Sequence, residues 1–400
     1  MVEARPAGYV GLSILLAVLF MVSPFSIDTF FPSFHAIAAE FDLTNWQLQQ
    51  LMTVYLLPLG LMSLVQGPLS DALGRRPVLL AGLIVYVLAS IACTLAPNYP
   101  TLLIFRAMQG MCAGVGMIIG RAVIRDLYEG PPAQRLMSVI SMIFSIAPAI
   151  APVIGGYIHV AFGWRAVFGF MAILGLVLIV ASYVRLPETH PREKRVPFHV
   201  SNLARVVWTV ISNREALLIA FCIGAHFATM LTIVGAAPAI VIDHWGLKET
   251  QFAWLFVPVI GGFALGAWVS GRLAGRLTSG QQCMIGFAVS IIGALSLVVL
   301  CASIERPPIW AQQIAFATTG FGVQIVMPVL TLRMMDMFPD ARGSAASVQS
   351  CVSLIVATVA FGVMVPLLNH SLLHLAEGTL SVAIVALVLW KLSQLKAKAA

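Results

Sequence analysis

The sequence predicts an all-α membrane protein of twelve transmembrane helices in two six-helix bundles. Of its 400 residues, 60% are hydrophobic and only 10% are charged, and the mean hydropathy is +0.96. Soluble domains carry about 25% charged residues, so the composition excludes an ordinary soluble protein. A membrane-spanning helix needs roughly 20 apolar residues to cross the hydrocarbon. The runs of that length are 10–34, 47–69, 77–96, 100–124, 136–160, 164–185, 215–242, 251–275, 281–303, 308–332, 343–367 and 372–392.

The distribution of basic residues supports both the number of spans and their orientation. The chain has 23 Lys and Arg and a net charge of +7. With the N-terminus in the cytoplasm, most of these residues fall at cytoplasmic helix ends or loops, as the positive-inside rule requires. A missed span would disrupt this alternation. The sequence therefore predicts a multi-pass protein of the cell inner membrane with both termini in the cytoplasm, and the basic charge indicates topology rather than nucleic-acid binding.

The longest polar connection divides the spans six and six. We expect residues 1–186 to form the N-terminal bundle, 187–213 a cytoplasmic linker and 214–400 the C-terminal bundle. An even number of spans gives both halves the same orientation, as in transporters built from parallel repeats around a central binding site. A plain long loop would give the same pattern. Because one chain contains both halves, a monomer is expected.

Asp28 interrupts an otherwise uncharged apolar stretch in the first span. A carboxylate at mid-bilayer costs roughly 2.5 kcal/mol or more, and such residues usually face a protein interior or a wet cavity and carry protons, ions or substrates. Arg106 lies within the fourth span, at a depth that allows it to pair with Asp28. The pair predicts a proton-coupling site. The alternative for Arg106 is a structural clamp on backbone carbonyls.

The turn between the second and third spans reads GPLSDALGRRP over residues 67–77. It resembles the complete G-x-L-x-D-x-x-G-R-[KR] signature of the major facilitator superfamily, and this resemblance implies a latch on the cytoplasmic side. Glycines permit the tight turn, and an acid near a helix N-terminus is stabilising by about 0.3–2 kcal/mol. The corresponding turn of the second half has no acid, so we expect asymmetric latching. The candidate latch residues are Gly67, Asp71, Gly74, Arg75, Arg76, Arg125 and Asp126.

Two helix motifs extend the resemblance. Arg106, Gln109 and Gly110 match an R-x-x-Q-G motif that the superfamily links to proton transfer. The fifth span resembles the g-x-x-x-G-P-x-x-G-G pattern of twelve-helix proton-coupled exporters, with alanines replacing two glycines. Small residues at this spacing also allow close helix packing in membranes generally. The residues of the fifth-span pattern are Ala147, Pro148, Ala151, Pro152, Gly155 and Gly156.

Further stretches are similar to the bicyclomycin and chloramphenicol resistance (Bcr/CflA) subfamily of drug:proton antiporters. They include SIDT at 26–29, RDLY at 125–128, PET at 187–189 and FP at 338–339. The resemblance implies alternating-access export of a small amphipathic compound, driven by inward proton flow with Asp28 as the protonation site. Some relatives carry a second acid earlier in the first span, where this chain has Phe20. The alternative is an exporter of an endogenous metabolite or siderophore, or a proton-coupled importer.

Polar, aromatic and methionine side chains in other spans are candidates to line an adaptable substrate cavity. Ordinary helix packing is the alternative for each of them, including a lone intramembrane histidine. The candidates are Tyr55, Gln109, Met142, His226, Phe227, Phe256, Gln324, Met327 and Phe361.

Other functional classes lack their motifs. The chain has no HExxH, GxSxG or G-x-x-x-x-G-K-[ST] sequence, so neither an intramembrane hydrolase nor an ATP-driven pump is indicated. Its six cysteines show no metal-type spacing. We therefore expect no enzyme activity, no metal and no cofactor. The expected partners are protons, a small amphipathic substrate and the lipid bilayer, with no nucleic acid.

Overall fold

The computed structural model describes the backbone of residues 7–128, 130–195 and 197–397. Within these ranges it leaves out the side chains of residues 7–10, 130–135, 138–139, 141–142, 144–145, 194, 202, 340 and 396–397.

The described chain is helical almost throughout. The helices are α1 Ala7–Asp28, α2 Phe34–Phe41, α3 Asn45–Leu73, α4 Arg75–Thr94, α5 Tyr99–Ala113, α6 Val115–Leu127, α7 Gly130–Phe162, α8 Trp164–Arg185, α9 Val200–Ser212, α10 Arg214–Gly235, α11 Ala253–Leu273, α12 Ser279–Ser303, α13 Ile309–Asp336, α14 Arg342–Val359, α15 Val365–Leu368 and α16 Leu372–Ala397. Short 3₁₀ helices span Phe31–Ser33, Arg192–Lys194 and Pro339–Ala341, and π-helical segments span Ala239–His244 and Ala360–Met364.

The helices confirm the predicted all-α membrane fold. Among the described residues, eleven helical stretches are long and apolar enough to cross a membrane. The fifth predicted span corresponds to α7, whose described apolar part is Ile146–Phe162. The fourth span is formed by α5 and α6, which meet at Gly114. Twelve spans are therefore consistent with the structure.

The chain divides into two compact units. The first groups the residues up to Ser33 with Leu57–Leu203, and the second groups Phe34–Leu56 with Ala204–Ala400. A piece of the first half, comprising α2 and the start of α3, thus packs with the second unit. The division into bundles of residues 1–186 and 214–400 stays a prediction. It did not include the packing of Phe34–Leu56 with the second unit.

The first span is broken in its second half, counted along the chain. Helix α1 ends at Asp28, a 3₁₀ turn follows at Phe31–Ser33, and α2 begins at Phe34. Pro32 in this turn has no backbone N–H to donate, so it cannot continue the helical hydrogen bonding. Irregular backbone at membrane depth occurs only where protein covers it or where it lines a cavity. Consistently, residues 29–33 are all buried.

The linker contains a helix that the sequence reading did not predict. Helix α9, Val200–Ser212, is strongly amphipathic, with Val210 buried and Trp208 exposed. Its apolar residues at 203, 206, 207, 210 and 211 follow helical spacing. Because the linker is rich in charged residues, this helical spacing was not recognised from the sequence.

Candidate functional site

Asp28 lies at the point where helical structure stops within the first span. It is the last residue of α1 and only 4% exposed. The next residue, Thr29, still donates its N–H to the Phe25 carbonyl at 3.0 Å, so the chain leaves the helix immediately after Asp28. Transporters bind substrates and ions at interrupted helices, and an intramembrane acid usually marks a path for protons, ions or substrate.

Arg106 in α5 is completely buried and fixes the end of α1. Its Nη1 donates to the Ser26 carbonyl at 3.2 Å and to Gln109 Oε1 at 2.6 Å. The guanidinium also lies over the Phe30 ring, 4.4 Å from its centroid. Arg106 therefore contacts backbone on the N-terminal side of Asp28 and an aromatic ring on the other side. The carbonyl contact is the structural role considered from sequence, whereas a direct part in proton coupling stays a prediction.

A hydrogen-bond network connects Arg106 to α4. Gln109 Nε2 donates to Ser90 Oγ at 2.8 Å, and Ser90 Oγ donates to the Tyr86 carbonyl at 2.7 Å. The Tyr86 hydroxyl is hydrogen-bonded to Ser26 Oγ, and Ser26 lies in the last turn of α1. All of these side chains are buried. Buried polar networks rigidify their surroundings, so α4 and α5 hold the last turn of α1 before Asp28 in place.

The fifth-span pattern contacts the break in the first span. Ala147, Ala151 and Gly155 are buried at intervals of four residues along α7. A Cβ atom built on Gly155 would overlap the Thr29 carbonyl oxygen. Only glycine permits this approach without displacing backbone. The structure thus places Gly155 of this pattern directly against the residue that follows Asp28. Pro152 and Gly156 beside it are also buried, and Pro148 is half-buried.

The turn between α3 and α4 is built around Arg75. Gly74, with φ of +103°, is the single residue between the two helices. Arg75 Nη1 lies 2.5 Å from Asp71 and donates to Ser70 Oγ at 2.6 Å, while Nε lies 3.2 Å from Asp126 Oδ2. Arg75 is largely buried whereas Asp71 is half-exposed. The predicted latch residues Asp71, Arg75 and Asp126 therefore meet.

The remaining latch candidates have distinct positions. Gly67 lies in α3, and its carbonyl accepts a hydrogen bond from Ser70 Oγ at 2.8 Å. Arg76 Nη2 donates to the Tyr183 carbonyl at 2.5 Å, which connects the turn to the end of α8. Arg125 is exposed in the last turn of α6.

Glu188 completes this turn and was not among the predicted site residues. Its carboxylate accepts hydrogen bonds from the backbone N–H groups of Arg75 at 3.0 Å and Arg76 at 3.3 Å, at the N-terminus of α4. Arg195 lies 3.7 Å from the same carboxylate. Thr189 Oγ1 donates to Asp126 at 2.8 Å. The acid at the N-terminus of α4 is thus Glu188 of the linker. It belongs to the PET sequence at 187–189, one of the stretches similar to the Bcr/CflA subfamily.

Substitution of Glu188 should weaken the turn. We expect Glu188→Ala to lower the free energy of unfolding by about 0.5–2 kcal/mol, because two N–H groups and the helix N-terminus lose their acceptor. Thermal unfolding in detergent would measure this loss. Glu193→Ala, which removes an exposed acid from the same linker, is the matched control. Equal unfolding temperatures for the two variants would contradict the role given to Glu188.

The second unit has an ion pair between the first turn of α10 and the last turn of α13, which was not predicted from the sequence. Arg333 Nη2 of α13 lies 2.5 Å from Glu215 Oε1 in the first turn of α10. The two residues are 118 positions apart, so no local motif indicates the contact.

The candidate cavity residues differ in burial and in their neighbours. Tyr55 and Phe256 are fully buried, and Gln109 belongs to the Arg106 network. His226 is buried with its ring 4.5 Å from that of Phe287 in α12. Phe361 lies in a π-helical segment against Gly235. Phe227, Gln324 and Met327 are half-buried, and the side chain of Met142 lies outside the described residues. A lining role for these residues stays a prediction.

Comparisons with known proteins agree with the fold. A family model described as the Major Facilitator Superfamily matches residues 16–361. The bicyclomycin resistance protein homolog of Haemophilus influenzae is 26% identical over 344 residues, covering 86% of each chain. The chloramphenicol resistance protein of Pseudomonas aeruginosa is 26% identical over 356 residues, covering 84% of this chain and 81% of that protein. A crystal structure of a D-xylose-proton symporter matches with a TM-score of 0.75 and 14% identity, covering 96% of this chain and 98% of that one.

Proposed function

Because the chain belongs to the Major Facilitator Superfamily, a family of transporters and not of enzymes, we propose that it is a proton-coupled exporter of small amphipathic molecules, including drugs. Exchange of substrate for protons would occur by alternating access. The names of two similar proteins, a bicyclomycin resistance protein homolog and a chloramphenicol resistance protein, support drugs as the substrate class.

The observation that carries this proposal is the position of Asp28. Asp28 is a buried acid at a helix interruption, and Gly155 packs against the residue that follows it. Gain or loss of a proton at Asp28 would therefore act on the irregular part of the first span. The first span cannot move at Thr29 without disturbing α7. The exporter pattern in α7 and the protonation site are therefore mechanically connected.

The transport cycle follows from the charge of Asp28. Release of its proton to the cytoplasm makes the site attractive to substrate from the cytoplasm or the inner leaflet. Uptake of a proton from outside favours substrate release and returns the empty carrier. Each charge moved across the membrane is worth about 2.3 kcal/mol per 100 mV, so inward proton flow can drive export. In this proposal the protein is a monomer in the cell inner membrane, with both termini in the cytoplasm.

Antiport in inside-out vesicles tests the proposal. A proton gradient is imposed across vesicles with and without the protein, a fluorescent reporter follows the internal pH, and chloramphenicol and a panel of amphipathic compounds are added. We expect compound-dependent loss of the gradient only where the protein is present. A response limited to extracts of cell metabolites would assign an endogenous substrate. Compound moving with the proton, rather than against it, would overturn export.

A further inference from the structure

Three polar contacts hold the segment Phe34–Leu56 within the second unit. His35 Nε2 lies 2.9 Å from Asp243 Oδ1. Gln49 Nε2 donates to the Gly235 carbonyl at 3.2 Å, and Gln50 Nε2 donates to the Gly362 carbonyl at 3.2 Å. The partners come from sequence positions about 190 to 310 residues away. In the predicted topology all of them lie at the outer ends of their helices.

The helices that receive this segment are irregular where it docks. Asp243 belongs to the π-helical segment Ala239–His244, and Gly362 belongs to the π-helical segment Ala360–Met364. π-helical turns are rare and occur frequently at functional sites. On the other side, the segment is joined to the first unit through the 3₁₀ turn Phe31–Ser33. Irregular backbone therefore borders the contact on both sides, which suits a contact that forms and breaks.

A small cavity of about 50 Å³ lies beside the His35–Asp243 pair. Gln49 is only 3% exposed, and its Oε1 has no hydrogen-bond partner among the described residues. The same holds for Oδ1 of Asn369, which also lines the cavity. Buried oxygens without a hydrogen-bond partner are unfavourable, so they oppose the contacts that hold the segment Phe34–Leu56 in place.

The contact joins a histidine to a carboxylate. Histidine is the side chain whose charge ordinarily changes between about pH 5 and 8. Both partners are half-exposed, at 49% and 52% for His35 and Asp243, so protons from the solution reach them. Among the described residues around the cavity, Asp243 is the one charged group that faces His35. The remaining residues that line the cavity have no titratable side chain. They are Phe34, Ala38, Asn45, Leu48, Gln49, Gly235, Pro238, Ala239 and Asn369.

His244, the residue after Asp243, has a different partner. His244 Nε2 hydrogen-bonds to the Asn369 carbonyl at 2.9 Å. Protonation of His35 thus adds attraction to the Asp243 carboxylate without an opposing charge beside it in the cavity. We propose that His35 and Asp243 form a pH-responsive contact that docks the segment Phe34–Leu56 on the second unit more firmly when the outer solution is acidic.

A cysteine at Leu48 reports the docking without any transport measurement. Leu48 is 8% exposed and lines the cavity. Leu48→Cys protein in right-side-out vesicles is labelled with a membrane-impermeant maleimide at pH 5.5 and pH 8. Protein lacking the substitution gives the background from native cysteines, which lie in membrane-spanning helices. Rates are divided by those of Lys248→Cys, an exposed position in the same unit, which removes the intrinsic pH dependence of the thiol reaction.

We expect the normalised rate to rise about two- to five-fold from pH 5.5 to pH 8, the range for a partly exposed ion pair. His35→Gln should abolish this rise, and His374→Gln, at an exposed histidine in the same unit, should leave it intact. The exchanged pair His35→Asp with Asp243→His should restore it. A pH-independent rate in the parent, or an unchanged rise in His35→Gln, would overturn the proposal. Because the readout is labelling, failure of drug export would leave this result unaffected.

Discussion

Asp28→Asn is expected to reduce proton antiport to the level of vesicles without the protein. Asparagine has nearly the shape of aspartate but cannot release a proton. Because Asp28 is buried at the end of α1, no solvent-exposed acid can substitute for it at this position. The fold should persist, since removing a buried carboxylate removes a desolvation cost. Gradient dissipation by an active compound, measured in inside-out vesicles, checks the expectation.

Two controls make the Asp28 result specific. Glu377→Gln removes an exposed acid of α16 and should retain full antiport. Asp28→Glu keeps a titratable group on a longer side chain and should retain partial activity. If Asp28→Asn still dissipates the gradient like the wild type, Asp28 is not the coupling site. Thermal unfolding of each variant separates loss of coupling from loss of fold.

Gly155→Ala is expected to lower antiport at least ~10-fold and to destabilise the protein by about 1–3 kcal/mol, the usual cost of overpacking. The added methyl group would meet the Thr29 carbonyl oxygen, a backbone atom that cannot rotate away. Helix α7 or the turn after Asp28 must shift instead. The measurements are antiport in vesicles and thermal unfolding in detergent.

Gly261→Ala is the matched control for Gly155→Ala. Gly261 lies in α11, and a Cβ atom built there meets nothing within 4 Å. Alanine is favoured over glycine in a helix by roughly 0.5–1 kcal/mol, so this variant should be as stable as the parent or more so. Full antiport in Gly155→Ala would show that the contact with Thr29 is not needed for coupling.

Hydropathy located the spans because the bilayer imposes a length on each apolar run. The sixth predicted span, 164–185, coincides with α8, Trp164–Arg185. The predicted first span ended at residue 34, whereas the helical stretch continues to Phe41 through the 3₁₀ turn. Hydropathy is averaged over many residues, so it does not detect a short turn such as Phe31–Ser33. Pro32 was the one local sign of it, and a proline alone does not distinguish a kink from a break.

The candidate site was predictable where a motif is local. Asp71 and Arg75 meet within the signature, and Asp126, a latch candidate from the end of α6, joins them. The contact of Glu188 was not predictable, because nothing near Glu188 in sequence indicates that it lies at the N-terminus of α4. The lining role of the cavity candidates stays a prediction for a related reason. Their side-chain directions depend on helix rotation, which hydrophobic helices on all sides leave undefined.

The grouping of Phe34–Leu56 with the second unit has a consequence for biosynthesis. Gln50 emerges from the ribosome 312 residues before its acceptor, Gly362. At roughly 5–20 residues per second, this segment waits on the order of tens of seconds for its partner. During that time the polar side chains of Gln49 and Gln50 must be satisfied by lipid headgroups, water or an assisting protein. The segment Phe34–Leu56 therefore cannot reach its final packing while only the first half of the chain exists. Its packing is completed when the last spans of the second unit have been synthesised.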